Sequence, residues 1–184
     1  NMPVFPYEGM YIGMPVFFYR TGLEPPWDNT DGFKEIQLTS SRDLVHWQRL
    51  GNRKPFIETS EVTDGLLGVY DRNSILAVSR PIEIGNELWF YYTGIKFRAS
   101  PYHYLADGTP RPVDELSPLE RADLEEGMGA VCLAILRKDG FISLDSNESG
   151  GYMLSKPMIQ NGTILYFNVA ASNGRVLVEV LDVE

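Results

Sequence analysis

The chain has 184 residues, with 25 acidic against 16 basic side chains and a net charge of −9. A surface of that sign repels phosphate, which argues against a nucleic-acid or anionic-membrane partner. Hydrophobic residues at 43% suffice for a core, no apolar run nears the roughly 20 residues of a membrane span, and a single cysteine, Cys132, forbids an internal disulfide.

Taken in chain order, strand signals dominate. Val4–Phe5, Met10–Tyr19, Phe33–Ser40 and His46–Leu50 read as four strands in meander order. Because the chain opens on Asn1 within what reads as a strand, a preceding part is expected, and it could carry an export signal. A secreted or periplasmic location goes with such a signal and a cytoplasmic one with its absence. Asp28–Gly32 has the look of a calcium loop but lacks the downstream glutamate, so it reads as a plain turn. A second meander follows in Ile75–Ile84, Glu87–Gly94, Ala130–Arg137 and Phe141–Leu144, with Gly85-Asn86 and Asp139-Gly140 at turns.

Between its second and third strands lies a long insertion, residues 97–128, rich in proline and carboxylates. Ser117-Pro118-Leu119-Glu120 is a capping box with proline at the first helical position, and Gly127 supplies the stop, so one short helix is expected there. After Gly150, strands Tyr152–Ile159, Thr163–Ala170 and Val176–Val183 are separated by Asn161-Gly162 and Asn173-Gly174, pairs that favour tight hairpins. The expected fold is therefore all-β: two antiparallel four-stranded blades over residues 1–149, then the start of a β-sandwich over 150–184.

Several residues carry the chemistry. Tyr70, Asp71, Arg72 and Asn73 form a polar cluster before a buried strand; Asp71 reads either as a ligand for sugar hydroxyls or as a turn aspartate bonding locally to backbone. His103 lies in Pro101–Tyr104, an aromatic loop that either stacks on a sugar ring or simply covers the surface. The indole of Trp47 is expected to pack between blades with its N–H bonded inside. Two histidines and one cysteine, far apart, make no zinc constellation, and no phosphate loop or nucleophile elbow is present. No cofactor and no metal site is expected.

Ser41-Arg42-Asp43-Leu44-Val45-His46-Trp47 resembles the S-x-D-L-x-x-W turn in blades of the invertase-like and arabinanase-like glycoside hydrolases, and Glu87–Gly94 resembles their second blade strand. The wider arrangement is similar to a bacterial group of invertase-related five-bladed propellers with a C-terminal β-sandwich. The resemblance implies hydrolysis of furanosides or short glycans by three acidic residues facing a central funnel. Two of these are aspartates of the first two blades, which this chain lacks, so the chain reads as a fragment. The third, the proton-donating glutamate, corresponds to Glu8 in Pro6-Tyr7-Glu8-Gly9-Met10-Tyr11. The candidate catalytic residues are thus Glu8 and Asp71, with Tyr11, Tyr70, Arg72, Asn73 and His103 binding a carbohydrate substrate. The alternative is a non-catalytic carbohydrate-binding or structural β-domain. Open blade edges and the apolar set Trp89, Phe90 and Tyr91 point to a homo-oligomer, or to completion by the missing part.

Overall fold

The computed structural model describes residues 1–20, 32–61, 68–77, 80–96, 112–159 and 161–182. It divides the chain into two units, Asn1–Ser143 and Leu144–Glu184. Among the described residues the first unit holds ten strands and one α-helix, so the all-β expectation stands.

The strands are β1 (Val4–Tyr7), β2 (Met10–Gly13), β3 (Val16–Arg20), β4 (Gly32–Ile36), β5 (Thr39–Ser41), β6 (Gln48–Arg49), β7 (Ser74–Ala77), β8 (Ile82–Ile84), β9 (Glu87–Ile95) and β10 (Gly129–Arg137); the helix is α1 (Pro118–Glu125). One sheet is the antiparallel meander β1-β2-β5-β6. The other runs β10-β9-β7-β4-β3, with β8 also pairing β9. Neither sheet closes on itself.

The expected strand Met10–Tyr19 is in fact two strands in different sheets. Pro15, with no N–H to give a ladder, separates β2 from β3, while its carbonyl accepts from the amide of Gln37 at 3.1 Å. Phe33–Ser40 breaks at Gln37 for the same crossing, so β2 and β5 share one sheet and β3 and β4 the other. The two meanders are consequently joined rather than separate: β4 meets β7 in a parallel bridge, Lys34 opposite Ser74. Within the second meander, Phe141–Leu144 forms no strand, because the Phe141 ring turns into the core instead.

The core lies between the sheets. Phe90, 2% exposed, sits among Phe5, Phe56 and Phe141 with ring centroids 6.3, 5.6 and 6.3 Å away. Phe5, Ile12 and Leu38 come from the meander side, and Ile36, Ile75, Leu88 and Tyr92 from the larger sheet. Tyr7 ties the edges of this core together: its ring meets Phe141 edge-on at 5.0 Å and its hydroxyl donates to Asp139 Oδ1 at 2.7 Å.

The turn Ser41–Trp47 is held almost wholly by its own side chains. Ser41 Oγ accepts from the amide of Leu44 at 2.9 Å, and Asp43 Oδ1 accepts from the amides of Val45 and His46 at 2.9 and 2.7 Å. The indole N–H of Trp47 bonds the carbonyl of Leu44 within the turn at 3.1 Å. Its ring closes over Gly13, where a Cβ would stand 2.9 Å from the indole and 2.5 Å from Thr39 Oγ1, so only glycine fits. Imidazole and amide donors from His46 hold the Asp43 carboxyl well below the usual carboxylate range.

In the second unit no described residue is in a strand, a correction to the three expected after Gly150. A turn does form before Gly174, whose amide bonds the Ala171 carbonyl at 3.2 Å. Every described residue of this unit is exposed, Tyr166 and Val180 among them. A hairpin with no apolar face covered is marginal in water, which is why turn chemistry alone leaves no ladder here.

Phe90→Ala should lower unfolding free energy by ~3–5 kcal/mol in urea denaturation, since it removes the ring that three others pack against. A loss below ~1 kcal/mol would place the core elsewhere.

Candidate functional site

The segment after Gly68 lies against the end of β9 and against α1. The helix forms as its sequence prescribes: Ser117 Oγ accepts from the amide of Glu120 at 3.2 Å, and the Glu120 carboxylate accepts from the amide of Ser117 at 2.7 Å. What docks it is charge. Lys96, one residue past β9 and fully buried, donates to Asp123 Oδ1 at 2.9 Å and to Glu126 Oε2 at 2.8 Å. Arg72 forks onto the same Asp123 carboxylate, with one Nη 3.3 Å from Oδ1 and the other on Oδ2, and its Nε donates to the Lys96 carbonyl at 3.3 Å. Tyr70 roofs the cluster, its ring 4.4 Å from Lys96 Nζ.

Two cations and two carboxylates thus balance. Burial pushes the Asp123 carboxyl up, but hydrogen bonds from Arg72 and Lys96 outweigh this and hold it below the ordinary range. Glu126 is lowered by Lys96 and by the amide of Gly68. Burial pulls Lys96 down, and its bonds to Glu126 and Asp123 more than reverse that, leaving it raised.

Asp71 is buried and accepts from the Tyr92 hydroxyl at 2.6 Å. Burial first, and the Asp71 carboxylate second, push the Tyr92 hydroxyl up. The contact depends on Gly94, where a Cβ would meet Asp71 Cβ at 2.8 Å and Cys132 Sγ at 2.9 Å. Asn73, also buried, donates from its side chain to Ser74 Oγ at 3.0 Å. Tyr70, Asp71, Arg72 and Asn73 are therefore adjacent, as their sequence implies, but their polar atoms bond mainly to protein.

Glu8 stands apart from them. With Gly9 it is the two-residue turn between β1 and β2, exposed and at φ +44°, followed by Gly9 at +75°. It borders a shallow depression with Tyr7, Tyr11, Arg42 and Glu83; Asp71 is not among the residues lining it. His103 falls outside the described residues, as does the turn Asp28–Asp31.

A third place escaped the sequence reading. Glu35 on β4, Glu58, Thr59, Ser60 and Glu61 line an open depression of about 480 Å³. Burial pushes the Glu35 carboxyl up, and the charge of Glu58 adds to it. Glu35 stands opposite Phe17 across the β3–β4 pair, and Ser60 is tied to the polar segment by its amide, 3.3 Å from the Asp71 carbonyl. Strand alternation could have shown that Glu35 and Phe17 share a face, but Glu58 is distant in sequence and nothing in its pattern signals the meeting. Among the described residues no group of three or more histidines, cysteines and carboxylates is arranged to hold a metal, and no helix is long and apolar enough to cross a membrane.

Comparison with protein-family models, with curated proteins and with solved structures finds no match to this chain.

Asp123→Ala would leave Arg72 and Lys96 facing each other without their shared counter-charge. It should cost ~3–5 kcal/mol in chemical denaturation, the usual penalty for breaking a buried pair. A cost within the surface-pair range, below ~1 kcal/mol, would show that the cluster does not dock the helix. The pH dependence follows from the signs. Asp123 and Glu126 are lowered in the fold, so their contribution is present above the ordinary carboxyl range, about pH 4, and is lost as pH falls through their folded values. Glu35 is raised, so relief from its burial is full below that range and disappears as pH rises through its folded value. Glu35→Gln should thus stabilise the protein at pH 7 and change little at pH 3, read from melting temperatures at the two pH values; an equal effect at both would remove the electrostatic account.

Proposed function

We propose that this protein is glycoside-hydrolase-like and acts on furanosides or short glycans by carboxylate acid/base hydrolysis. The observation that carries the reading is the meander β1-β2-β5-β6 with the Ser41–Trp47 turn between its third and fourth strands. That pairing of a four-stranded antiparallel unit with an S-x-D-L-x-x-W turn is what the resemblance to propeller blades rests on. A net charge of −9 also suits a neutral substrate.

Glycoside hydrolysis needs one carboxyl that keeps its proton and one that stays charged. Glu35 is assigned the proton, since burial and the neighbouring Glu58 favour its neutral form, and Glu58 is the second carboxyl lining the same depression. Glu8 is the rival for the acid, on the strength of the resemblance alone. Asp71 is assigned to positioning, because Tyr92 already occupies its carboxylate.

The second reading is a carbohydrate-binding domain without catalysis. It is favoured by Asp71, a candidate catalytic carboxylate of the sequence that instead accepts from the Tyr92 hydroxyl inside the protein.

Unactivated and 4-nitrophenyl arabinofuranosides and fructofuranosides separate the readings. Glu35→Gln should slow the unactivated substrate by ~10²–10⁴-fold and the nitrophenyl one far less, because a good leaving group needs little protonation. The same pattern in Glu8→Gln, with Glu35→Gln neutral, would transfer the role to Glu8. If nothing is cleaved but sugars shift the tyrosine and tryptophan NMR signals, the binding reading holds. No shift up to roughly 50 mM sugar, beyond the weak affinity of an open site, would end both.

A further inference from the structure

The larger sheet ends on β10, which pairs with β9 on one side and with no described strand on the other. Its nine residues, Gly129–Arg137, contain no proline and no charge before Arg137. Charges, prolines and bulges are the usual protection of an exposed edge, and β10 has none of them before Arg137. Its outward side chains are aliphatic: Val131, Leu133 and Ile135 are 74, 38 and 53% exposed. Cross-strand neighbours extend that face, with Thr93, Tyr91 and Trp89 opposite these three, and Ile82 beyond Trp89.

We propose that β10 pairs antiparallel with β10 of a second copy about a two-fold axis at Leu133, making one continuous sheet across a homodimer. The inference rests on this edge alone and is independent of the glycan reading. A two-fold axis there sets Leu133 against its own counterpart and Val131 against Ile135, so each exposed aliphatic gains an aliphatic opposite it on the same face.

The charges agree with that direction. Arg137 closes the strand, whereas the exposed Glu125 lies just before it at the end of α1. Antiparallel pairing brings the basic end of each strand toward the acidic helix end of the other, twice by symmetry. A parallel arrangement would bring like ends together. The −9 charge on each chain opposes association at long range, but beyond a Debye length of about 8 Å physiological salt screens it.

Sedimentation equilibrium of the full 184-residue chain in 150 mM salt is the test. A dimer should form between about 1 and 100 µM, the affinity span of modest interfaces. Leu133→Lys, at an exposed position, should keep the circular-dichroism spectrum and weaken the dimer at least ~10-fold by seating two charges face to face. Arg137→Glu should weaken it too, and adding Glu125→Arg should restore it. Leu133→Cys in a Cys132→Ser background should give a disulfide-linked dimer on oxidation. A monomer throughout the range, a dimer indifferent to Leu133→Lys, or charge exchange without recovery would each overturn the proposal.

Discussion

The packing of aromatic rings about Phe90 is the constraint on which the other features depend. Two open sheets, each too small to cover its own inner face, become one folded unit because Phe5 and Phe56 meet Phe90 and Phe141 between them. The crossings at Pro15 and Gln37 serve this arrangement, since they hand the same two strand pairs from one sheet to the other. Gln37 is buried in doing so, and it is kept satisfied: its amide nitrogen donates to the Tyr19 hydroxyl at 2.6 Å, while its oxygen accepts from Arg49. A buried amide left unbonded at that point would oppose the very packing it permits.

Around this core the polar chemistry divides by what is already occupied. Arg72, Lys96, Asp123 and Glu126 face one another, and the buried charges of Lys96 and Asp123 are tolerable only because their partners are present. Their mutual bonds make them poor candidates for holding a substrate. Asp71 is similarly engaged by Tyr92. Glu35 and Glu58 are different in kind: both line an open depression, where burial first and the charge of Glu58 second raise the proton affinity of Glu35. On the proposed glycan reading, that contrast is the ground for preferring Glu35 to Asp71 as a reacting carboxyl.

Much of the chain was legible one element at a time. The hairpin at Gly85-Asn86, the helix from Pro118 and the turn from Ser41 to Trp47 all follow their local residues. Glu8 was legible as a residue beside a glycine but not as a turn, because the register Tyr7 opposite Met10 decides whether two residues close a hairpin. The strands after Gly150 had equally good local signals and yet carry no ladder, since alternation specifies a face without supplying anything to bury it against.

The sequence by itself therefore determined the structures whose hydrogen bonds close within a few residues: tight turns, the capped helix, the predominance of extended chain. Only the tertiary structure decided which strands share a sheet, that Arg72 reaches Asp123 across 51 residues, that Tyr7 reaches Asp139 across 132, and that Glu35 meets Glu58. The reason is physical. A local bond needs only the conformation of one turn, whereas these partners meet only after the aromatic core has brought distant segments together, and no property of the individual residues records that meeting in advance.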